Sequence, residues 1–208
     1  MTEIFPPPPE QQVPLKTDTA PEGLAEFLAT RRSAGKATLG EPGPDTDTLA
    51  DMLRVAARVP DHRKLEPWRF ITITDEARHA FGRKLAEIAS NYEDLSAKDV
   101  ESAGELPLRA PVVVGVVSSP DHAHKTPVWE QELSAGAAAY NLLLAARAAG
   151  FGAVWLTEWI SYSDEVSALL DLAQGERLAG FIYIGTPTAD APERPRPDMA
   201  EKVTVWTG

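Results

Sequence analysis

The amino-acid sequence predicts an α/β or α+β sandwich, one domain in which helices bury a sheet of four strands. Segments with helical spacing of apolar residues alternate with short β-rich runs along most of the chain. One such run, Val112 to Ser118, is almost entirely valine, which is typical of a strand buried on both faces. A length of 208 residues with 43% hydrophobic residues suits a single well-filled domain.

The predicted elements follow the order α-α-β-α-β-α-β-α-β. Their spans are helices near residues 24–31 and 48–58, a strand at 69–74, a helix at 76–95, the strand at 112–118, a helix at 129–149, a strand at 153–157, a helix at 164–173 and a strand at 178–185. We find no internal repeat.

The two predicted helices of the N-terminal part have recognisable boundaries. Apolar residues from Leu24 fall at helical spacing, and the first helix is expected to end near a basic pair at Arg31. Thr48 and Asp51 resemble a capping box, which predicts the start of the second helix at this point. That helix should end near Arg58.

Prolines and glycines set the boundaries of the later elements. Pro60 and Pro67 exclude regular structure between them, and the chain then alternates as a strand from Arg69. The long helix that begins near Trp129 is rich in small residues and is followed by Gly150, a common C-terminal capping residue. We therefore expect a structured loop before the first predicted strand and a buried helix in the second half.

The N-terminal segment is expected to differ from the rest of the chain. Residues 1–21 contain a run of four prolines and two further prolines, so we predict a flexible arm there and one domain over residues 22–208. No basic region followed by an apolar stretch is present at the N-terminus, so we expect a cytoplasmic protein. The most apolar stretch, residues 135–151, is too short and too polar for a membrane span.

Composition excludes several functional classes. There are 31 acidic and 20 basic residues, a net charge of −11, which disfavours nucleic-acid partners. The absence of cysteine excludes disulfides, thiolate zinc sites, iron–sulfur clusters and a cysteine nucleophile. No phosphate-binding loop or Gly-x-Ser-x-Gly motif occurs, and the acidic and histidine residues between 121 and 132 match no metal-ligand spacing, so we predict no metal.

Two clusters of polar residues are candidates for ligand binding. Arg31, Arg32 and Ser33 supply two guanidinium groups and a hydroxyl that could hold a phosphate, although a basic pair at a helix C-terminus also complements the helix dipole. The segment between Pro60 and Pro67 holds five ionisable residues, and loops of this density often bind ligands.

With these clusters in view, the sequence resembles the FMN-dependent nitroreductase family. Five motifs agree with that family in order and spacing: Arg31-Arg32-Ser33, the loop Pro60 to Trp68, the helix Ala137 to Ala149, the strand Gly150 to Trp155, and the strand end Phe181 to Pro187. The resemblance covers residues 24–207, and several phrases, such as Pro60-Asp61-His62, look most like a small bacterial subgroup of NAD(P)H nitroreductases.

The resemblance implies an α+β fold, a three-layer α/β/α sandwich whose mixed, mostly antiparallel sheet is flanked by helices. It also implies a homodimer that binds FMN at the subunit interface. Such an enzyme transfers hydride from NAD(P)H through FMN to a nitroaromatic, quinone or similar flat acceptor by a ping-pong mechanism. Two alternatives stay open: a flavin-binding protein without reductase turnover, and a specialised dehydrogenase or flavin-cleaving enzyme of the same superfamily.

Carried over residue by residue, the resemblance assigns the flavin site as follows. The cofactor-binding residues are Arg31, Arg32 and Ser33 at the phosphate, ribityl chain and pyrimidine edge, Arg58 and His62 reaching the flavin of the partner subunit, Val154, Trp155 and Leu156 lining the ring, and Arg196 at the phosphate. Arg196 is preferred over Arg194 by its spacing. No side chain is assigned a catalytic role, because FMN supplies the hydride chemistry.

The sequence departs from the family pattern at three positions. The usual asparagine and glutamine of the Pro60 segment are Lys64 and Glu66, and the basic residue two places after Ser33 is Gly35, followed by Lys36. These changes bear on the substrate and on the redox properties of the flavin.

Overall fold

The valine-rich run Val112–Ser118 forms a strand, β3, and all seven of its residues are buried. The structure is a computed structural model that describes residues 4–10 and 21–208. β3 pairs on one side with β2 (Trp68–Thr74) and on the other with β5 (Arg177–Pro187). Because alternate residues of a strand point to opposite faces of the sheet, β3 contributes side chains to two separate cores.

β5 connects the remaining strands. Its residues 181–185 pair with β4 (Gly152–Leu156) on the edge opposite β3, and its end pairs with the two-residue strand β1 (Leu39–Gly40). All these pairings, and that of β2 with β3, are antiparallel. The predicted sandwich with a mostly antiparallel sheet is confirmed. β1 was not predicted, because two residues are too few to give an alternating pattern.

Within residues 4–10 and 21–208, six helices and three 3-10 turns accompany the sheet. The helices are α1 (Leu24–Thr30), α2 (Thr46–Ala56), α3 (Asp75–Ala89), α4 (Ala97–Ser102), α5 (Val128–Ala148) and α6 (Asp164–Leu169), and the 3-10 turns are Ala103–Arg109, Trp159–Ser161 and Met199–Glu201. α2 and α5 pack on one face of the sheet, whereas α3, the first 3-10 turn and α6 pack on the other. α5 thereby packs beside β4.

Several predicted boundaries are corrected by the structure. α2 begins two residues earlier than predicted, because Asp45 rather than Thr48 caps it: the Asp45 carboxylate accepts the Thr48 N–H at 2.8 Å. α3 ends at Ala89 instead of near residue 95, and α4 with its 3-10 turn follows. α6 ends at Leu169 rather than near residue 173. The helix cannot continue to residue 173 because the backbone of Asp171 is left-handed (φ 52°).

Part of the N-terminal arm lies within the described residues. Phe5 packs against the core between the sheet and α2 and α5, and Arg54 donates a hydrogen bond to the carbonyl of Pro6 at 3.1 Å. Residues 1–3 and 11–20 of the predicted arm lie outside the described residues, and the division into an arm and one domain stays a prediction. No helix in the described part of the chain has the length and apolarity needed to cross a membrane.

An ion pair between Arg69 and Glu176 joins β2 to the start of β5. Arg69 Nε and Nη2 lie 2.9 and 2.7 Å from the two Glu176 carboxylate oxygens, and the Glu176 side chain is 9% exposed. The hydrogen bonds from Arg69, helped by the N–H of Ala173, lower the pKa of Glu176 to about 2. Two parallel N–H donors on one carboxylate are a strong form of this interaction.

This ion pair makes stability depend on pH in the acid range. Since the folded pKa of Glu176 lies below its ordinary 4.5, the stabilisation is present above about pH 5 and is lost as the pH falls towards 2. We expect Glu176→Gln to lower the free energy of unfolding by about 1–2 kcal/mol at pH 7, a range already reduced because Arg69 is partly exposed. At pH 2.5, close to the folded pKa, the loss should fall to about a quarter of that. Urea unfolding at both pH values measures this. The matched control Glu87→Gln, in an exposed pair with Lys84, should change little at either pH, and an equal loss at both pH values for Glu176→Gln would contradict the assignment.

Candidate functional site

The segment that follows α1 is attached to the edge of the sheet. The N–H of Ala34 donates to the carbonyl of Ala153 in β4 at 2.9 Å. This bond places Arg31, Arg32 and Ser33 next to the start of β4. A cavity of about 290 Å³ opens here, lined by Thr30, Arg31, Arg32, Ala34, Leu143, Arg147, Phe151, Gly152, Ala153, Pro187, Ala189, Asp190 and Ala191. Three guanidinium groups at one cavity favour an anionic ligand.

Arg32 carries the clearest sign of a missing polar partner in this cavity. Its side chain is 23% exposed, yet its Nη1 atom is fully buried and has no hydrogen-bond partner among the described residues. A buried N–H without a partner costs free energy, and a charged one costs more. Arg31 is placed differently, with its guanidinium 5.7 Å from the centre of the Tyr140 ring. The geometry of Arg32 therefore suits a ligand that brings its own acceptor oxygen.

Arg196 is brought to the same place by the C-terminal segment. Its Nη2 atom lies 2.8 Å from Oε1 of Glu193, and the same oxygen lies 3.9 Å from Nη1 of Arg32. The pKa of Glu193 is lowered by the N–H of Arg194, and further by the charges of Arg196 and Arg32. The structure thus places Arg196 near Arg32 and Arg31, and these three residues form the arginine cluster. Arg194 contributes only its backbone N–H, to Glu193.

The Pro60 loop, residues 58–67, is fixed to the first turns of α5. Ser134 donates to the carbonyl of Pro60 at 2.7 Å, and His62 Nδ1 lies 2.7 Å from the Glu130 carboxylate. Asp61 accepts the N–H groups of Leu65 and Glu66, which closes the turn. Within the described residues, no hydrogen bond or ion pair joins this loop to the segment 31–33. The structure does not bring Arg58 and His62 together with the arginine cluster of the same chain.

The three predicted residues of β4 are divided between the two faces of the sheet. Val154 is buried in the core on the α3 side and Leu156 packs against that core, whereas Trp155 packs on the α2 and α5 side. The Trp155 indole N–H donates to the carbonyl of Ala179 at 3.0 Å. A Cβ on the neighbouring Gly180 (φ 143°) would collide with the indole. Trp155 is therefore held firmly in place, with its indole on the face opposite to Val154 and Leu156.

Sequence reasoning missed Glu158, which follows β4 in an unusual backbone conformation (φ 44°, ψ −178°). Its carboxylate forms an ion pair with Arg109 and lies 3.6 Å from the ammonium of Lys36. Strained backbone of this kind persists only where surrounding contacts hold it. Arg147 and Glu193 were missed as well, because their positions at the arginine cluster depend on the fold, and no local motif marks them.

Comparison with known proteins identifies the family of this chain. The profile of the Nitroreductase family matches residues 28–186, most of the chain. The chain belongs to the nitroreductase family. The chain is 38% identical over 168 residues to YdjA of Escherichia coli K12, which is named as an NAD(P)H nitroreductase, and the match covers 80% of this chain and 89% of YdjA. The family resemblance seen in the sequence is confirmed.

Solved structures show the same fold. A nitroreductase-like protein from Bacillus cereus superimposes on this chain with a TM-score of 0.76 at 24% identity, covering 94% of this chain and 100% of that one. A nitroreductase from Desulfovibrio desulfuricans, solved in complex with FMN, gives a TM-score of 0.69 at 23% identity, covering 90% and 99%. The predicted cofactor is the one bound in this second relative.

Proposed function

We propose that this member of the nitroreductase family is an FMN-dependent oxidoreductase that transfers hydride from NAD(P)H through FMN to a nitroaromatic, quinone or similar flat acceptor in a ping-pong cycle. The observation that carries the proposal is the Nη1 atom of Arg32, which is buried at a cavity lined by three arginines and has no hydrogen-bond partner among the described residues. A phosphate group supplies the charge and the acceptor oxygens that this donor set lacks. Membership of the family and the FMN complex of the Desulfovibrio relative support the choice of FMN.

The residues of this chain have distinct tasks in the proposal. Arg31, Arg32, Ser33 and Arg196 hold the phosphate and the polar edge of FMN, and their positive charge favours the reduced, anionic flavin. Bound FMN supplies the site that accepts hydride from NAD(P)H and passes it to the acceptor. Val154, Trp155 and Leu156 of β4 line the flavin ring, and the hydrogen bond of the Trp155 indole to Ala179 holds this strand in place. No side chain acts as nucleophile or general base. The protein contributes orientation and exclusion of water.

The surface supports a homodimer, the partner that we propose. Apolar side chains that lie exposed in one chain occur on α1, along one face of α5 and in the C-terminal segment: Leu24 40%, Leu28 50%, Trp129 67%, Leu133 54%, Tyr140 42%, Val203 58%, Val205 78% and Trp206 87%. Large apolar surfaces of this kind mark interaction sites. α1 buries none of its residues within its own chain. A second copy would cover these side chains, and the Pro60 loop, with Arg58 and His62, would reach the FMN of the partner subunit.

The dimer predicts the effect of a charge on the α5 face. Leu133→Asp should shift the mass in solution from twice 22.5 kDa towards 22.5 kDa, because a buried carboxylate opposes association, and the bound flavin should be lost with it. Light scattering coupled to gel filtration, with absorbance at the flavin band, measures both. Leu169→Asp, an exposed leucine on α6, is the control and should leave the mass unchanged. A wild-type monomer that retains flavin would contradict the dimer.

The visible absorption spectrum tests the proposed activity. We expect purified protein, or protein reconstituted with FMN, to show the flavin bands and to lose them when NADPH or NADH is added without oxygen. Addition of a quinone or nitroaromatic should restore the bands. A flavin spectrum that neither donor bleaches would favour a flavin-binding protein without turnover, and protein that takes up no FMN would contradict the proposal.

A further inference from the structure

Glu193 lies in the arginine cluster that the proposed function assigns to the FMN phosphate. One carboxylate oxygen, Oε1, is 2.8 Å from Nη2 of Arg196 and 3.9 Å from Nη1 of Arg32. The same oxygen accepts the N–H of Arg194 at 2.7 Å, which folds the side chain back on its own segment. Glu193 is therefore placed where an oxygen of a bound anion could lie.

A carboxylate and a phosphate cannot both use these two arginines without cost. Like charges about 4 Å apart repel each other even in water, and more strongly where water is partly excluded. The Glu193 side chain is 61% exposed and lies in a segment without regular structure, so it can turn away into solvent. Binding a phosphate at both arginines then requires the ion pair of Glu193 with Arg196 to break.

A flavin without a phosphate can bind without breaking the ion pair between Glu193 and Arg196. Riboflavin has no anionic group that needs Arg32 and Arg196, so the pairing of Glu193 can persist when it binds. The free energy needed to displace Glu193 therefore weakens the binding of FMN but not the binding of riboflavin.

We propose that Glu193 is a specificity-determining residue of this site, an internal anion that competes with the FMN phosphate for Arg32 and Arg196 and so reduces the preference for FMN over unphosphorylated flavin. The inference rests on the proposed function, because it takes the arginine cluster as the phosphate site. The contacts of Glu193 with Arg194 and Arg196 keep its pKa below its ordinary value, so the competing charge is present throughout the neutral pH range.

The test compares FMN and riboflavin on the full chain. Glu193→Gln keeps the shape of the side chain and removes its charge, and titration of flavin fluorescence on flavin-stripped protein gives the dissociation constants. Loss of one repulsion predicts FMN binding that is roughly 3- to 10-fold tighter and riboflavin binding within about 2-fold of wild type. The control Glu201→Gln removes the same charge from the same C-terminal segment, in the 3-10 turn Met199–Glu201.

Each outcome is decisive for Glu193. Weaker FMN binding by the variant would mean that Glu193 positions the arginines, and unchanged binding would mean that it does not compete, so either would overturn the inference while the proposed function stands. Equal tightening by Glu201→Gln would reduce the effect to net charge and would overturn it too. Wild-type protein that binds neither flavin would instead refute the proposed function and, with it, the inference.

Discussion

Replacement of Arg32 with alanine should remove most of the bound FMN. The variant loses a charge-assisted donor whose Nη1 is buried and unpartnered in the described structure, and contacts of this kind contribute about 1.5–3 kcal/mol, or roughly 10- to 100-fold in the dissociation constant. Flavin retained through gel filtration and a fluorescence titration with FMN measure the loss. Arg32→Lys should fall between wild type and alanine, because an ammonium keeps the charge but lacks the planar fork of donors.

Two comparisons make the Arg32 result specific. Arg83→Ala on α3 removes an exposed arginine and should leave FMN binding unchanged. The affinity for riboflavin should fall much less than that for FMN, since the proposed partner of Arg32 is the phosphate. Equal losses for the two flavins would place Arg32 elsewhere in the site, and full retention of FMN would exclude it from the site.

Gly82→Ala should be among the most destabilising single changes in the core. Gly82 lies on the buried face of α3, where it meets the 3-10 turn Ala103–Arg109, and an added Cβ would collide with the carbonyl oxygen of Gly104. Backbone cannot move aside as a flexible side chain can, so helix and turn must separate. We expect a loss of about 3 kcal/mol in the free energy of unfolding, at the upper end of the range for overpacked sites. Urea unfolding followed by circular dichroism measures it.

The opposite partner of this contact provides the control. A Cβ added at Gly104 would lie 3.6 Å from the Gly82 oxygen and 3.7 Å from the Ala86 side chain, which are ordinary contact distances. Gly104→Ala should therefore change the unfolding free energy by less than about 1 kcal/mol. Similar losses in the two variants would show that the helix-to-turn contact is looser than its geometry indicates.

The parts of the fold that could be predicted from the sequence are those with a long, uninterrupted pattern. β3 has the bounds that its valine run predicts. α5 begins and ends one residue before its predicted bounds, and this close agreement arises because its small residues and the following Gly150 mark the helix in the sequence. β1 depends on pairing with the end of β5, and the start of α2 depends on which of two polar residues reaches a free N–H. Such choices are made by tertiary contacts, which leave little trace in local sequence.

The candidate site divides in the same way. Arg31 and Arg32 are predicted from the sequence because two adjacent arginines can bind an anion and because they match a motif of the nitroreductase family. Glu193 approaches Arg32 across 161 positions of sequence, and Arg147 reaches the cavity from the last turn of α5, so neither could be found without the structure. Strand alternation predicts that Trp155 and Val154 point to opposite faces of the sheet. It does not predict that Val154 lies on the α3 side and Trp155 on the α2 and α5 side.

The attachment of the Pro60 loop to α5 links function to protein concentration. Ser134 and Glu130 tie this loop to the helix that carries the exposed apolar face, so the loop and that face form one rigid unit. In the proposed dimer, association and delivery of Arg58 and His62 to the partner's flavin are therefore one event. Dilution below the dissociation constant of the dimer should then abolish both active sites together, and the rate per chain should fall with dilution instead of staying constant.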